Sequence, residues 1–147
     1  MLKDINPGGS STPQSFCNVN GTFFFTVDDG THGRELWKTD GTPDGTMMVA
    51  DINPNGAVAS TPISLVNVSG TLYFTADDGT HGRELWKSDG SPGGTSMVTD
   101  IRPGSGSSNP SSLILFNSSL YFRRAGWHIR HRAVDERRHA RRNAPDQ

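Results

Sequence analysis

Apolar positions in this chain fall in short runs, either alternating with polar residues or rich in β-branched and aromatic ones, broken by turn residues every eight to twelve positions. That spacing predicts antiparallel strands, because a period of two sends alternate side chains to one face and the turn residues supply the reversals. Between residues 64 and 99 it predicts four strands, at 64–68, 72–76, 83–88 and 95–99. Asn20-Gly21 and Ser69-Gly70 suit tight hairpins whose central residues need positive φ, and Asp40-Gly41 and Asp89-Gly90 do the same one hairpin later. Pro43 and Pro92 follow, fixing φ and barring ladder pairing there.

The pattern repeats. F-T-V-D-D-G-T-H-G-R-E-L-W-K-T-D-G-T-P-D-G-T at 25–46 matches F-T-A-D-D-G-T-H-G-R-E-L-W-K-S-D-G-S-P-G-G-T at 74–95, an offset of 49. Residues 48–54, 97–103 and 1–7 answer one another around D-I-x-P, so the chain opens inside a repeat. Residues 15–25, 64–74 and 112–122 align as well, and the third unit is legible as far as 122. A four-stranded unit recurring at about 49 residues predicts an all-β chain of antiparallel blade-like repeats, an incomplete β-propeller, with an open β-solenoid as the alternative. The segments are 1–14 (end of a preceding repeat and linker), 15–63 and 64–111 (two repeats), 112–122 (start of a third) and 123–147.

Glu35-Leu36-Trp37 with Asp40-Gly41, and Glu84-Leu85-Trp86 with Asp89-Gly90, form the structural repeat motif, each followed by G-T and then V-x-D-I-x-P. This resembles the bacterial ELWxxDGT-repeat proteins over residues 1–122. The resemblance implies a propeller-like fold and a large secreted or cell-surface parent. It implies no catalytic activity and supplies no catalytic residues.

Charge divides the chain: residues 1–122 carry a net −6 and residues 123–147 a net +5. Arg and His beside Trp127 in the tail would suit phosphate neutralisation and base stacking. A different origin explains the tail better. Pro13 to Trp37 and Pro62 to Trp86 both span 24 residues, which puts the third tryptophan at position 134, now Val134. Codons compatible with Val134-Asp135, read one nucleotide later, spell tryptophan, and the shifted frame as a whole can read D-G-T-Y-G-T-E-L-W. The tail is therefore expected to be out-of-frame translation, disordered and without a nucleic-acid role. Met1 aligns with the internal positions Met48 and Met97, so a start inside a longer gene is expected too.

No run reaches the roughly 18 apolar residues of a membrane-spanning helix, and the N-terminus lacks the pattern of a signal peptide. The single cysteine, Cys17, forbids an intrachain disulfide and fits a half-buried strand position.

Asp28, Asp29, Asp77 and Asp78 are the candidates for metal, since oxygen ligands beside turn glycines suit Ca²⁺, although the spacing is not that of an EF-hand. The favoured reading has these aspartates accepting backbone N–H bonds within their own turns, because a structural need recurs in every unit. No other cofactor is expected. His32 and His81 read as loop-stabilising. Trp37 and Trp86 are candidates for stacking on a sugar, with packing between adjacent blades as the favoured role. Lys38, Lys87, Arg34 and Arg83 read as solvated charges flanking a strand. No nucleophile with a base partner and no phosphate-binding loop is legible, so an enzyme is not expected.

The reading that combines these points is a non-catalytic scaffold or binding-platform fragment of a larger bacterial surface or secreted protein. Its expected partners are neighbouring repeats of the parent and, through open blade faces, other copies of itself. A carbohydrate- or calcium-dependent adhesion module is the alternative, and part of a propeller enzyme with its active site in other blades is a weaker one.

Overall fold

The computed structural model describes residues 2–56 and 58–124, and among these it contains ten strands and no helix. Strands β1 (Gln14–Val19), β2 (Thr22–Asp28), β3 (Arg34–Thr39) and β4 (Met47–Ala50) form one antiparallel sheet in sequence order, blade 1. β5 (Ile63–Val68), β6 (Thr71–Asp77), β7 (Arg83–Ser88) and β8 (Thr95–Thr99) form a second in the same order, blade 2. β9 (Ser111–Phe116) and β10 (Ser119–Arg123) pair as a hairpin, the first half of a third. The all-β, blade-like architecture expected from the periodicity is what the chain adopts. Of the four strands predicted in the second repeat, two coincide with those observed and two are longer by one or two residues. β10 ends at Arg123, one residue into the basic tail, while Trp127, Val134 and the rest of 125–147 lie outside the described residues.

Blades 1 and 2 share their register. Phe25 faces Trp37 as Phe74 faces Trp86, and Asp28 faces Arg34 as Asp77 faces Arg83. The first strand of each unit carries an irregularity at the same place, with Ser15, Ser64 and Ser112 at φ 53°, 59° and 55°. Such a bulge bends the strand and raises its twist.

The core lies between sheets rather than within one. Strand β1 lies against β5, and β5 against β9. Val19, Phe24, Leu36 and Ile52 of the first unit meet Leu72, Phe74 and Ala76 of the second, with Cys17, Leu65 and Trp86 packed alongside. One unit further on, Val68, Tyr73 and Leu85 meet Leu120 and Phe122. Burying a Leu or Phe side chain contributes about 1.5–3 kcal/mol, and here each blade obtains that burial from its neighbour. On the outer side of blade 1, Phe25, Val27 and Trp37 are covered by Ile5 and Met48. Cys17 is half-buried as expected; burial pushes its thiol above the ordinary value, against the lowering effect of a backbone bond from Asn67. Among the described residues no helix is long and apolar enough to cross a membrane.

Candidate functional site

The recurring motif R-E-L-W-K lies on β3 and β7, and its side chains reach out of their own strand. Leu36 and Leu85 are fully buried in the two interblade cores. Glu35 and Glu84 are fully buried too, and a buried carboxylate needs several donors to be tolerated. Glu35 finds them in the segment leading to the next blade: it accepts the Ile52 N–H (3.1 Å), the Ser60 N–H (2.8 Å) and the Ser60 hydroxyl (2.5 Å). Glu84 repeats this with the Ile101 N–H (3.1 Å), the Ser108 N–H (2.8 Å) and the Ser108 hydroxyl (2.6 Å). Burial pushes the Glu35 carboxyl above its ordinary pKa, and the bonds from Ser60 and Ile52 pull it part of the way back.

Ser60 is also tied to blade 2, because its carbonyl accepts the Asp77 N–H (3.1 Å), just as the Ser11 carbonyl accepts the Asp28 N–H (3.0 Å). The next residue is clamped from the same side. Arg83 donates to the Thr61 carbonyl (2.9 Å), the Thr75 carbonyl (3.1 Å) and the Thr61 hydroxyl. Arg34 donates to the Thr26 carbonyl (3.2 Å) and the Thr12 hydroxyl. Thr12 and Thr61 lie at φ 40° and 44°, a region that β-branched residues seldom enter, and Asn109 occupies the third such position at 47°. Each precedes a proline, which narrows its conformation further. Burial holds the Arg83 guanidinium below its ordinary pKa, with Asp77 opposing.

These contacts correct the reading of Arg34, Arg83 and Lys38 as solvated charges. All three are half-buried, and Lys38 donates to the Gly90 carbonyl in the neighbouring blade (2.7 Å). A charge beside a strand and a charge reaching a carbonyl more than twenty residues away look alike in one repeat. The recurring Ser-Thr-Pro or Ser-Asn-Pro ahead of each unit was the legible sign of the arginines' partners.

The acidic loops are tied to their own backbone. Asp28 and Asp77 accept the Gly30 and Gly79 N–H groups (2.8 Å each). Asp29 accepts the Thr31 and His32 N–H groups (2.9 and 2.8 Å), and its second oxygen meets His32 Nδ1 at 2.7 Å. Asp78 does the same with Thr80, His81 and His81 Nδ1, at the same distances. Turn bonding is thus what these carboxylates do, and no group of three His, Cys, Asp or Glu side chains among the described residues is arranged to hold a metal. Both histidines have pKa values raised above the ordinary value, first through the hydrogen bond that each ring donates to its aspartate partner, with partial burial opposing and nearby Asp51 and Glu35, or Asp100 and Glu84, adding to the rise.

The glycines of these loops make room for the connector between blades. A Cβ on Gly30 would stand 2.8 Å from Asn6 Oδ1, and one on Gly79 2.8 Å from Asn53 Oδ1. Asp40 accepts the Thr42 N–H and hydroxyl (2.9 and 2.7 Å), and Asp89 accepts those of Ser91 (2.8 and 2.6 Å). Gly41 and Gly90 supply positive φ at these turns, as the sequence required.

Trp37 is 8% exposed among Phe25, Val27, Ile5 and Met48, which leaves no indole face open to a sugar. Trp86 is half-buried against the core shared by blades 1 and 2. Both indole N–H groups are buried without a partner among the described residues, as are the Oδ1 atoms of Asp51 and Asp100.

No protein-family model, curated protein or solved structure matches this chain.

Proposed function

We propose that the chain is a run of ELWxxDGT-type repeats, part of an incomplete β-propeller, acting without catalysis as a scaffold or binding platform in a larger bacterial surface or secreted protein. One observation carries this reading. The polar side chains that recur in the motif make the same bonds in both repeats, Glu35 and Glu84 to the connector, Asp29 and Asp78 to their turn, Asp40 and Asp89 to theirs. Groups used alike in every unit serve the fold, whereas a reactive site needs one constellation that differs. Neighbouring repeats are the partners that such groups serve.

Calorimetric titration of the chain with calcium, combined with melting curves in calcium and in chelator, tests the reading. Coincident melting curves and no saturable heat are expected. A calcium-dependent rise in melting temperature that disappears in an Asp29→Asn, Asp78→Asn double variant would replace the scaffold with a calcium-dependent adhesion module. Saturable glycan binding lost on Trp86→Ala would do the same for a carbohydrate site.

A further inference from the structure

The interface between blades occurs twice in this chain, and its two halves occur a third time, apart, at opposite ends. On the side facing a preceding blade, Leu72 of blade 2 and Leu120 of the third unit are 0% exposed, while their counterpart Phe23 in blade 1 is 39% exposed. Leu65 and Leu113 are half-buried at the position where Phe16 is 58% exposed. The rings of Phe16 and Phe23 stack at 5.7 Å and form an aromatic ridge on that open side.

The opposite side, facing a following blade, shows the reverse. Val19 and Val68 are 6% and 8% exposed, but their counterpart Phe116 is 60% exposed. Cys17 and Val66 are half-buried where Ile114 is exposed. Phe116 meets Tyr121 edge-on at 6.1 Å. Large apolar side chains clustered in this way on a surface mark an interaction site.

We propose that these two faces bind each other between copies of the chain, head to tail, the Phe16–Phe23 ridge of one copy seating against Ile114 and Phe116 of the next. The occupant is a second copy because the contact continues an interface already built twice inside the chain, with the same positions opposed. A polar contact continues with it. Asn67 Oδ1 accepts the Gly70 N–H (3.0 Å) while its Nδ2 donates to the Asn18 carbonyl of blade 1 (3.1 Å). Asn18 holds the Gly21 N–H in the same way (3.0 Å), so its Nδ2 reaches the carbonyl of Leu115 in the adjoining copy. The two faces differ, so the contact is heterologous and propagates into a ring or an open filament rather than stopping at a symmetric dimer. The association rests on the two faces of this chain; in a longer parent, neighbouring repeats would occupy the same faces in place of a second copy.

Sedimentation velocity of the full chain, with Phe23→Asp and Phe116→Asp variants, tests it. Wild-type protein is expected to form concentration-dependent species larger than a dimer. Each variant keeps one intact face and is expected to sediment as a monomer. Their equimolar mixture is expected to give a 1:1 dimer and nothing larger, because one intact face of each kind remains. Both side chains are exposed, so circular dichroism should match wild type; if either variant unfolds, Phe16→Asp and Ile114→Asp replace the pair. A monomeric wild type, a variant that still self-associates, or a mixture that stays monomeric overturns the proposal.

Discussion

At the scale of single residues, a buried carboxylate in each motif holds together segments far apart in sequence. Replacing Glu84 with alanine strands the Ile101 N–H, the Ser108 N–H and the Ser108 hydroxyl. At about 1–3 kcal/mol for each buried donor left unpaired, the cost should reach at least about 3 kcal/mol, read as a lowered urea midpoint. Glu84→Gln keeps one acceptor oxygen and should fall between. The His–Asp pairs give stability a defined pH window. His32 and His81 are raised, so their contribution is complete below the ordinary histidine pKa of about 6.5 and is lost as pH rises through the folded value. Asp29 and Asp78 are lowered: burial raises them, but the bonds from His32 and Thr31, or His81 and Thr80, outweigh it. Their contribution is complete above the ordinary carboxylate value of about 3.9 and is lost as pH falls through the folded one. Glu35, raised by burial, acts in the opposite sense to these aspartates and favours the fold most when protonated. The pairs therefore contribute most between about pH 4 and 6.5, and a His32→Gln, His81→Gln variant should flatten the alkaline side of a melting-temperature profile.

Turns and strands were the features most legible beforehand. Period-two runs and Asn-Gly or Asp-Gly pairs act over a few residues, so the strands at 83–88 and 95–99 came out as observed. The roles of Glu35, Arg34, Arg83 and Lys38 did not, because their partners lie up to 52 residues away and no local rule refers to them. The loop after β7 is a case where the spacing had a reason that was not apparent. A Cβ on Gly94 would stand 1.8 Å from Asp89 Oδ1, and one on Gly45 1.9 Å from Asp40 Oδ1. The glycine five residues after the motif aspartate thus leaves space for the carboxylate that caps the turn. Gly94→Ala should lower the melting temperature by displacing Asp89 from Ser91. In an Asp89→Ala background the same change should have a much smaller effect, which a double-mutant cycle measures.

For the molecule as a whole, stability belongs to pairs of blades. Phe74 belongs to blade 2 but is buried among Val19, Phe24 and Leu36 of blade 1. Phe74→Ala should cost about 3–5 kcal/mol and destabilise both blades together, seen as coincident losses in amide-exchange protection across β2 and β6. The bonds from Glu35 and Glu84 bear on how such an array can change length. Ile52 and Ser60 stand eight positions apart, Ile101 and Ser108 seven, yet each pair meets its glutamate at 3.1 and 2.8 Å. Two fixed points, rather than the length of chain between them, therefore set the distance from one blade to the next. Inserting Gly-Ser between Asn55 and Gly56 should lower stability by less than about 1 kcal/mol in urea unfolding, since loop closure depends only weakly on length. Such a connector is a place where a repeat can accept new sequence, and so acquire a new surface, while its neighbours stay in register.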